Sequence, residues 1–142
     1  MAVSRGGGTA PSGKLAEVGP GVPPSRRRPR GHRTSFPHAE SREEEFVFVL
    51  QGECDAWIDG WLHRVREGDA VAFPAGTGIA HNLINNGGAE ARLMVVGQRA
   101  VPGNQLFYPL HVQYSDRWGA DWWHGAPRRP LGPHDGKPDR RR

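Results

Sequence analysis

One histidine, His81, stands in the stretch FPAGTGIAHNLINNGG (73–88), between a Pro-Gly-rich turn and an Asn-Gly-rich one. A second, His38, lies in FPHAESREEEF (36–46), two residues before Glu40. In an extended chain that spacing points both side chains the same way. Glu45 opens the apolar run that follows and can turn toward the same space. Two imidazole nitrogens and two carboxylates suit iron, manganese, nickel or zinc. Two histidines with one carboxylate make the facial arrangement of non-haem iron sites. The spacing is equally compatible with a plainer reading, in which these are acidic surface residues beside a turn, since REEE (42–45) is densely charged.

The elements that must position these residues read as short strands. EFVFVLQGE (45–53) is an apolar strand ended by Gly52, and AVAF (70–73), IAHNLIN (79–85) and ARLMVVG (91–97) are three more. CDAWIDGWLHRV (54–65) reads as two strands around the turn Asp59-Gly60, a strong hairpin signal. REGD, PAGTG and NGGAE supply the remaining turns. Short strands with frequent glycine turns and no long amphipathic helix predict an all-β antiparallel barrel or sandwich. Alternation puts Phe46, Phe48 and Leu50 on one face of their strand and Val47 and Val49 on the other, one set lining the interior. On the hairpin Trp57 falls opposite Leu62 and Ile58 opposite Trp61, so one tryptophan stays outside the core. His63 reads as structural or surface, and Cys54 as buried and inert.

The formal charge of +4 belongs to the ends of the chain. Residues 1–30 carry six basic residues and one acidic, whereas residues 31–100 carry six basic and ten acidic. Residues 1–30 are rich in Gly, Pro, Ser and Arg and predict a disordered basic tail, with PGVPPSRRRPRG (20–31) unsuited to a strand. Residues 31–100 form the core of the domain. The aromatic stretch 101–127 predicts a short irregular or helical extension packed on the core or across a dimer interface, and 128–142 an irregular basic tail. No RNA-binding motif, helix-turn-helix or zinc finger accompanies the basic runs, so nucleic acid is not the expected partner. No apolar run is long enough for a signal peptide or membrane span, and the lone cysteine allows no internal disulfide; a cytoplasmic location is expected.

GDAVAFPAGTGIAHNLIN (68–85) resembles the second conserved motif of the cupin superfamily, with Gly68, Pro74, Gly76, His81 and Asn85 in its order and the turn two residues longer than usual. HAESREEEFVFVLQG (38–52) resembles the first motif, with His38 as its first histidine, Glu45 as its glutamate and Gly52 closing it. The resemblance covers about residues 31–97, and VPGNQLFYPL (101–110) is similar to a branch of small single-domain bacterial cupins. It implies a cupin-type antiparallel β-barrel or jelly roll and a divalent metal (Fe, Mn, Ni or Zn) held by His38, Glu40, Glu45 and His81. It departs from the family where Glu40 replaces the usual second histidine, which makes the site harder and more anionic and lets Glu40 serve as a base. The expected function is a small metal-dependent enzyme acting on a small polar metabolite by isomerase, lyase or oxygenase chemistry. The alternative is a noncatalytic binding module without metal. Uncovered strand edges predict a homodimer.

Overall fold

The computed structural model describes residues 25–28, 30–98 and 101–139. Nine strands follow in chain order: β1 (Ser25–Arg28), β2 (Ala39–Glu40), β3 (Glu45–Gln51), β4 (Glu53–Ile58), β5 (Trp61–Arg66), β6 (Ala70–Phe73), β7 (His81–Ile84), β8 (Ala91–Gly97) and β9 (Leu106–Phe107). Every strand pair is antiparallel. Beyond β9 the chain makes two 3-10 turns, Val112–Tyr114 and Gly119–Asp121, flanking the one-turn helix α1 (Ser115–Trp118).

The strands fall into three separate sheets, ordered β1-β8-β3-β6, β5-β4-β7 and β2-β9. They do not close into a barrel, which corrects the barrel or jelly-roll architecture expected from the sequence. The reason lies in residues 31–38, which run beside β7 without forming a strand. Backbone bonds tie Gly31 and His32 to Asn85, Thr34 to Leu83 and His38 to His81. Between Thr34 and His38 the register slips, five steps from Arg33 to His38 answering three from Ile84 to His81. Only the isolated bridges Arg33↔Ile84 and His38↔His81 remain there.

The main core lies between the four-stranded and three-stranded sheets. Val47 and Val49 of β3 meet Cys54 and Ala56 of β4, Val65, Phe73, Leu83 and Leu93 there, all buried. The valine set therefore faces inward, while Phe46 and Leu50 are exposed. The hairpin register is as the sequence implies, Trp57↔Leu62 and Ile58↔Trp61. Its turn has Asp59 at φ 47° and Gly60 at φ 90°, the left-handed pair that a two-residue hairpin demands. Trp57 is fully buried and Trp61 is 59% exposed, so one tryptophan does stay outside.

Trp57 is buried on the outer face of the three-stranded sheet, where residues 128–139 lie across it. Its indole N–H donates to the His134 carbonyl at 2.9 Å. Arg129 pairs with Asp59, the Gly132 N–H donates to Asp59 O at 2.7 Å, and Asn82 Nδ2 reaches Gly136 O at 3.2 Å. Residues 128–139 are irregular in backbone yet packed as a strap. Ser25–Arg28, in the stretch expected to form no strand, pairs with β8 as an edge. The remaining calls on residues 1–24, 29, 99–100 and 140–142 lie outside the described residues. Among the described residues no helix is long and apolar enough to cross a membrane.

Candidate functional site

His38 and His81 meet because their backbones exchange hydrogen bonds. His81 N–H donates to His38 O at 2.9 Å and His38 N–H to His81 O at 3.2 Å. This reciprocal pair sets the two rings 5.2 Å apart, centre to centre. His81, the first residue of β7, is 4% exposed and stacks on Phe73, with ring centres 3.7 Å apart and planes within 3°. Glu40 sits on β2, which β9 holds in place through Glu40↔Leu106. Glu45 opens β3, paired to Phe73 on one side and Gly97 on the other.

The side chains form two histidine–carboxylate pairs. His38 Nε2 lies 3.4 Å from Glu40 Oε1, and His81 Nε2 lies 3.6 Å from Glu45 Oε1. His38 Nδ1 is 2.8 Å from the Phe36 carbonyl, and His81 Nδ1 is 3.4 Å from the Ile79 carbonyl. A carbonyl only accepts, so each Nδ1 carries the proton and each Nε2 is turned toward a carboxylate. Among the described residues buried His81 Nε2 has no hydrogen-bond partner, Glu45 standing beyond hydrogen-bonding distance.

Burial lowers the pKa of His38, but its contact with Glu40, the Phe36 carbonyl and the charges of Glu40 and Glu45 outweigh it, leaving the pKa raised. Burial likewise raises that of Glu40, and His38, Asn104 and Glu43 overcome it, leaving the carboxyl below its ordinary range. The metal-free pair is thus biased toward imidazolium and carboxylate.

Sequence reasoning missed Asn104. Its Nδ2 donates to Glu40 Oε2 at 2.9 Å. Its Oδ1 accepts from Arg42 N–H at 2.9 Å, Glu43 N–H at 3.3 Å and Ser41 Oγ at 3.3 Å. Three donors lock the amide, so its orientation is fixed before it meets the carboxylate. An asparagine in a loop carries no signal of this in the sequence. Tyr108 was missed as well; its ring lies 5.8 Å from that of His38. Burial, followed by the charge of Glu40, raises the Tyr108 pKa. His63 is exposed on β5, apart from the site, and Cys54 is buried, as the sequence suggests.

The chemistry of the donors fits a divalent ion in kind, since two Nε2 atoms and two carboxylates face one another and one Nε2 is orphaned. Their placement is another matter. The four side chains lie as two adjacent pairs, and among the described residues no group of three or more His, Cys, Asp or Glu is arranged to hold a metal ion.

Comparison with known proteins agrees with the motif reading. The cupin domain family matches residues 27–97, half of the chain. The fold is similar to that of a cupin-superfamily sugar phosphate isomerase from Silicibacter pomeroyi, with 33% identity, a TM-score of 0.56, and 59% of this chain and 53% of that chain covered. A putative sugar phosphate isomerase from Acidithiobacillus ferrooxidans is 28% identical, with a TM-score of 0.57 and coverage of 60% and 53%. Germin-like protein subfamily 2 member 1 of Arabidopsis thaliana is 32% identical over 74 residues, 49% of this chain and 33% of that protein. The chain thus spans about half the length of the two structures and a third of the plant protein. With both histidine motifs in order and the family match spanning them, the chain belongs to the cupin family.

Proposed function

We propose that the chain is a small metal-dependent cupin enzyme acting on a small polar metabolite, with a divalent ion held by His38, Glu40, Glu45 and His81. The observation that carries this reading is the buried, partnerless Nε2 of His81 beside a second histidine whose Nδ1 is likewise held by a carbonyl. A buried polar atom without a partner costs free energy, and a bound cation would satisfy it. Such an ion supplies Lewis-acid polarisation of a carbonyl or hydroxyl oxygen. Where the ion is held by His38, Glu45 and His81 alone, Glu40, kept ionised and held by Asn104, is instead the proposed base. Its carboxylate takes a proton from the carbon beside the polarised oxygen and returns it to the neighbouring atom. The names of the two similar structures favour isomerisation of an aldose or ketose phosphate within the wider set of isomerase, lyase and oxygenase chemistries.

The test is a panel of aldose and ketose phosphates incubated with metal-loaded protein in deuterated water and followed by NMR. The reading expects interconversion with deuterium incorporation, lost on chelation and reduced roughly a hundredfold or more in Glu40→Gln. No turnover across the panel by metal-loaded protein would reject the isomerase reading.

A second reading, a metabolite-binding module without metal, draws support from the division of the four side chains into two histidine–carboxylate pairs. In either case a homodimer is proposed along the edge of β5 that no other strand among the described residues covers, where Trp61 is 59% and Leu62 37% exposed.

A further inference from the structure

Past the family match, the 3-10 turn and α1 fold back against Phe36 and Tyr108 and enclose a groove of about 330 Å³. Its lining is Phe36, Tyr108, His111, Tyr114, Arg117 and Trp118. The rings fall into two contiguous sets. Phe36 meets His111 edge-on at 4.7 Å, and His111 stacks on Tyr114 at 5.5 Å. Tyr108 and Trp118 form the other set, with ring centres 5.2 Å apart. These rings are open to solvent, Phe36 being 47% and Trp118 38% exposed.

Cations stand at the His111 and Arg117 side of the groove, while the charge of Glu40 reaches Tyr108 on the other. Arg117, in its lining, makes no hydrogen bond or ion pair among the described residues. Arg33 lies over the Phe36 ring at 4.5 Å. Burial, then Arg33 and Lys137, lowers the pKa of His111, so cations outweigh carboxylates in the field at that ring. Lys137 is answered by Asp135 at 3.3 Å, and Arg33 hydrogen-bonds the Gly136 carbonyl at 2.8 Å. Arg117 is therefore the cation left to a ligand.

We infer that this groove binds a small aromatic carboxylate, its ring between the two aromatic sets and its carboxylate on the Arg117 guanidinium. The volume is that of a site for one or two fused rings. Aromatic walls select a flat apolar body, and a single guanidinium fork matches a carboxylate in bidentate fashion. A polyol is disfavoured, because among the described residues the polar side-chain groups of the lining are Arg117, His111 and the two tyrosine hydroxyls. The inference goes beyond the proposed enzyme: the groove uses none of the four proposed metal ligands, although Phe36 and Tyr108 in its lining both neighbour His38.

Isothermal titration of the full chain with 1-naphthoate and with its uncharged amide, 1-naphthamide, tests it. Naphthoate is expected to bind roughly tenfold or more tightly than the amide, and Arg117→Gln to abolish that difference. Trp118→Ala is expected to weaken both. The titration is run on metal-free and metal-loaded protein, so failure of metal loading leaves the naphthoate result standing and distinguishes the two claims. Equal binding of acid and amide, absence of binding at millimolar ligand, or naphthoate binding unchanged in Arg117→Gln would overturn the inference. So would a dimer broken by Trp118→Glu and indifferent to naphthoate, which would make the groove a contact between copies of the chain.

Discussion

At the scale of single residues, Asn104 decides how Glu40 behaves. Removing its amide takes one donor from the carboxylate and leaves Arg42 N–H, Glu43 N–H and Ser41 Oγ without their shared acceptor. Asn104→Ala is expected to destabilise the fold by about 1–3 kcal/mol, read from urea unfolding, and to raise the Glu40 pKa, read by NMR titration. The His38–Glu40 pair makes metal-free stability depend on pH. Glu40's lowered pKa gives stability that is present above the ordinary carboxyl value of 4.5 and lost as pH falls through the folded pKa. His38's raised pKa gives stability that is full below the ordinary value of 6.5 and lost as pH rises through the folded pKa. Metal-free protein should therefore lose stability as pH rises above the ordinary histidine value of 6.5, and Glu40→Gln should lose less over the same rise. Equal losses would remove the pair from the account. Cys54 is pushed up to about 12, first by burial and then by Asp55, so native protein should resist iodoacetamide at pH 8 and react only when unfolded.

At the scale of elements, local chemistry was legible and long-range placement was not. The Asp59-Gly60 turn, the alternation in EFVFVLQ and the Trp57↔Leu62 register all follow from rules that act over a few residues. The strap was read only as an irregular tail, because PRRPLGPHDG has no periodicity to reveal a packed segment. What holds it is backbone hydrogen bonding and close approach: a methyl placed on Gly60 would overlap the Gly132 backbone, and one on Gly78 would lie 2.5 Å from the Pro127 carbonyl. Ending the chain after residue 127 uncovers Trp57 and strips its N–H of the His134 carbonyl. The truncated protein is expected to lose roughly 3 kcal/mol of stability and to show red-shifted tryptophan emission. An unchanged emission maximum would mean that Trp57 keeps its cover without the strap.

At the scale of the whole molecule, the two histidine motifs were legible because their order is a sequence property, and their meeting follows from the His38–His81 backbone bridge. The barrel was misread. Closure depends on a continuous ladder beside β7, and the register slip between Arg33↔Ile84 and His38↔His81 interrupts the segment placed to supply it. Open edges in turn make self-association the expected outcome. Sedimentation should give twice the chain mass, and Trp61→Glu should return it to one.

The central claim is that His81 binds a metal ion. Elemental analysis of purified, tag-free protein, with His81→Ala alongside, tests it most directly. The account predicts on the order of one iron, manganese, nickel or zinc per chain, lost in the variant. Less than roughly a tenth of an equivalent after reconstitution with each metal would contradict it and leave His38, Glu40, Glu45 and His81 as two histidine–carboxylate pairs in a metal-free pocket.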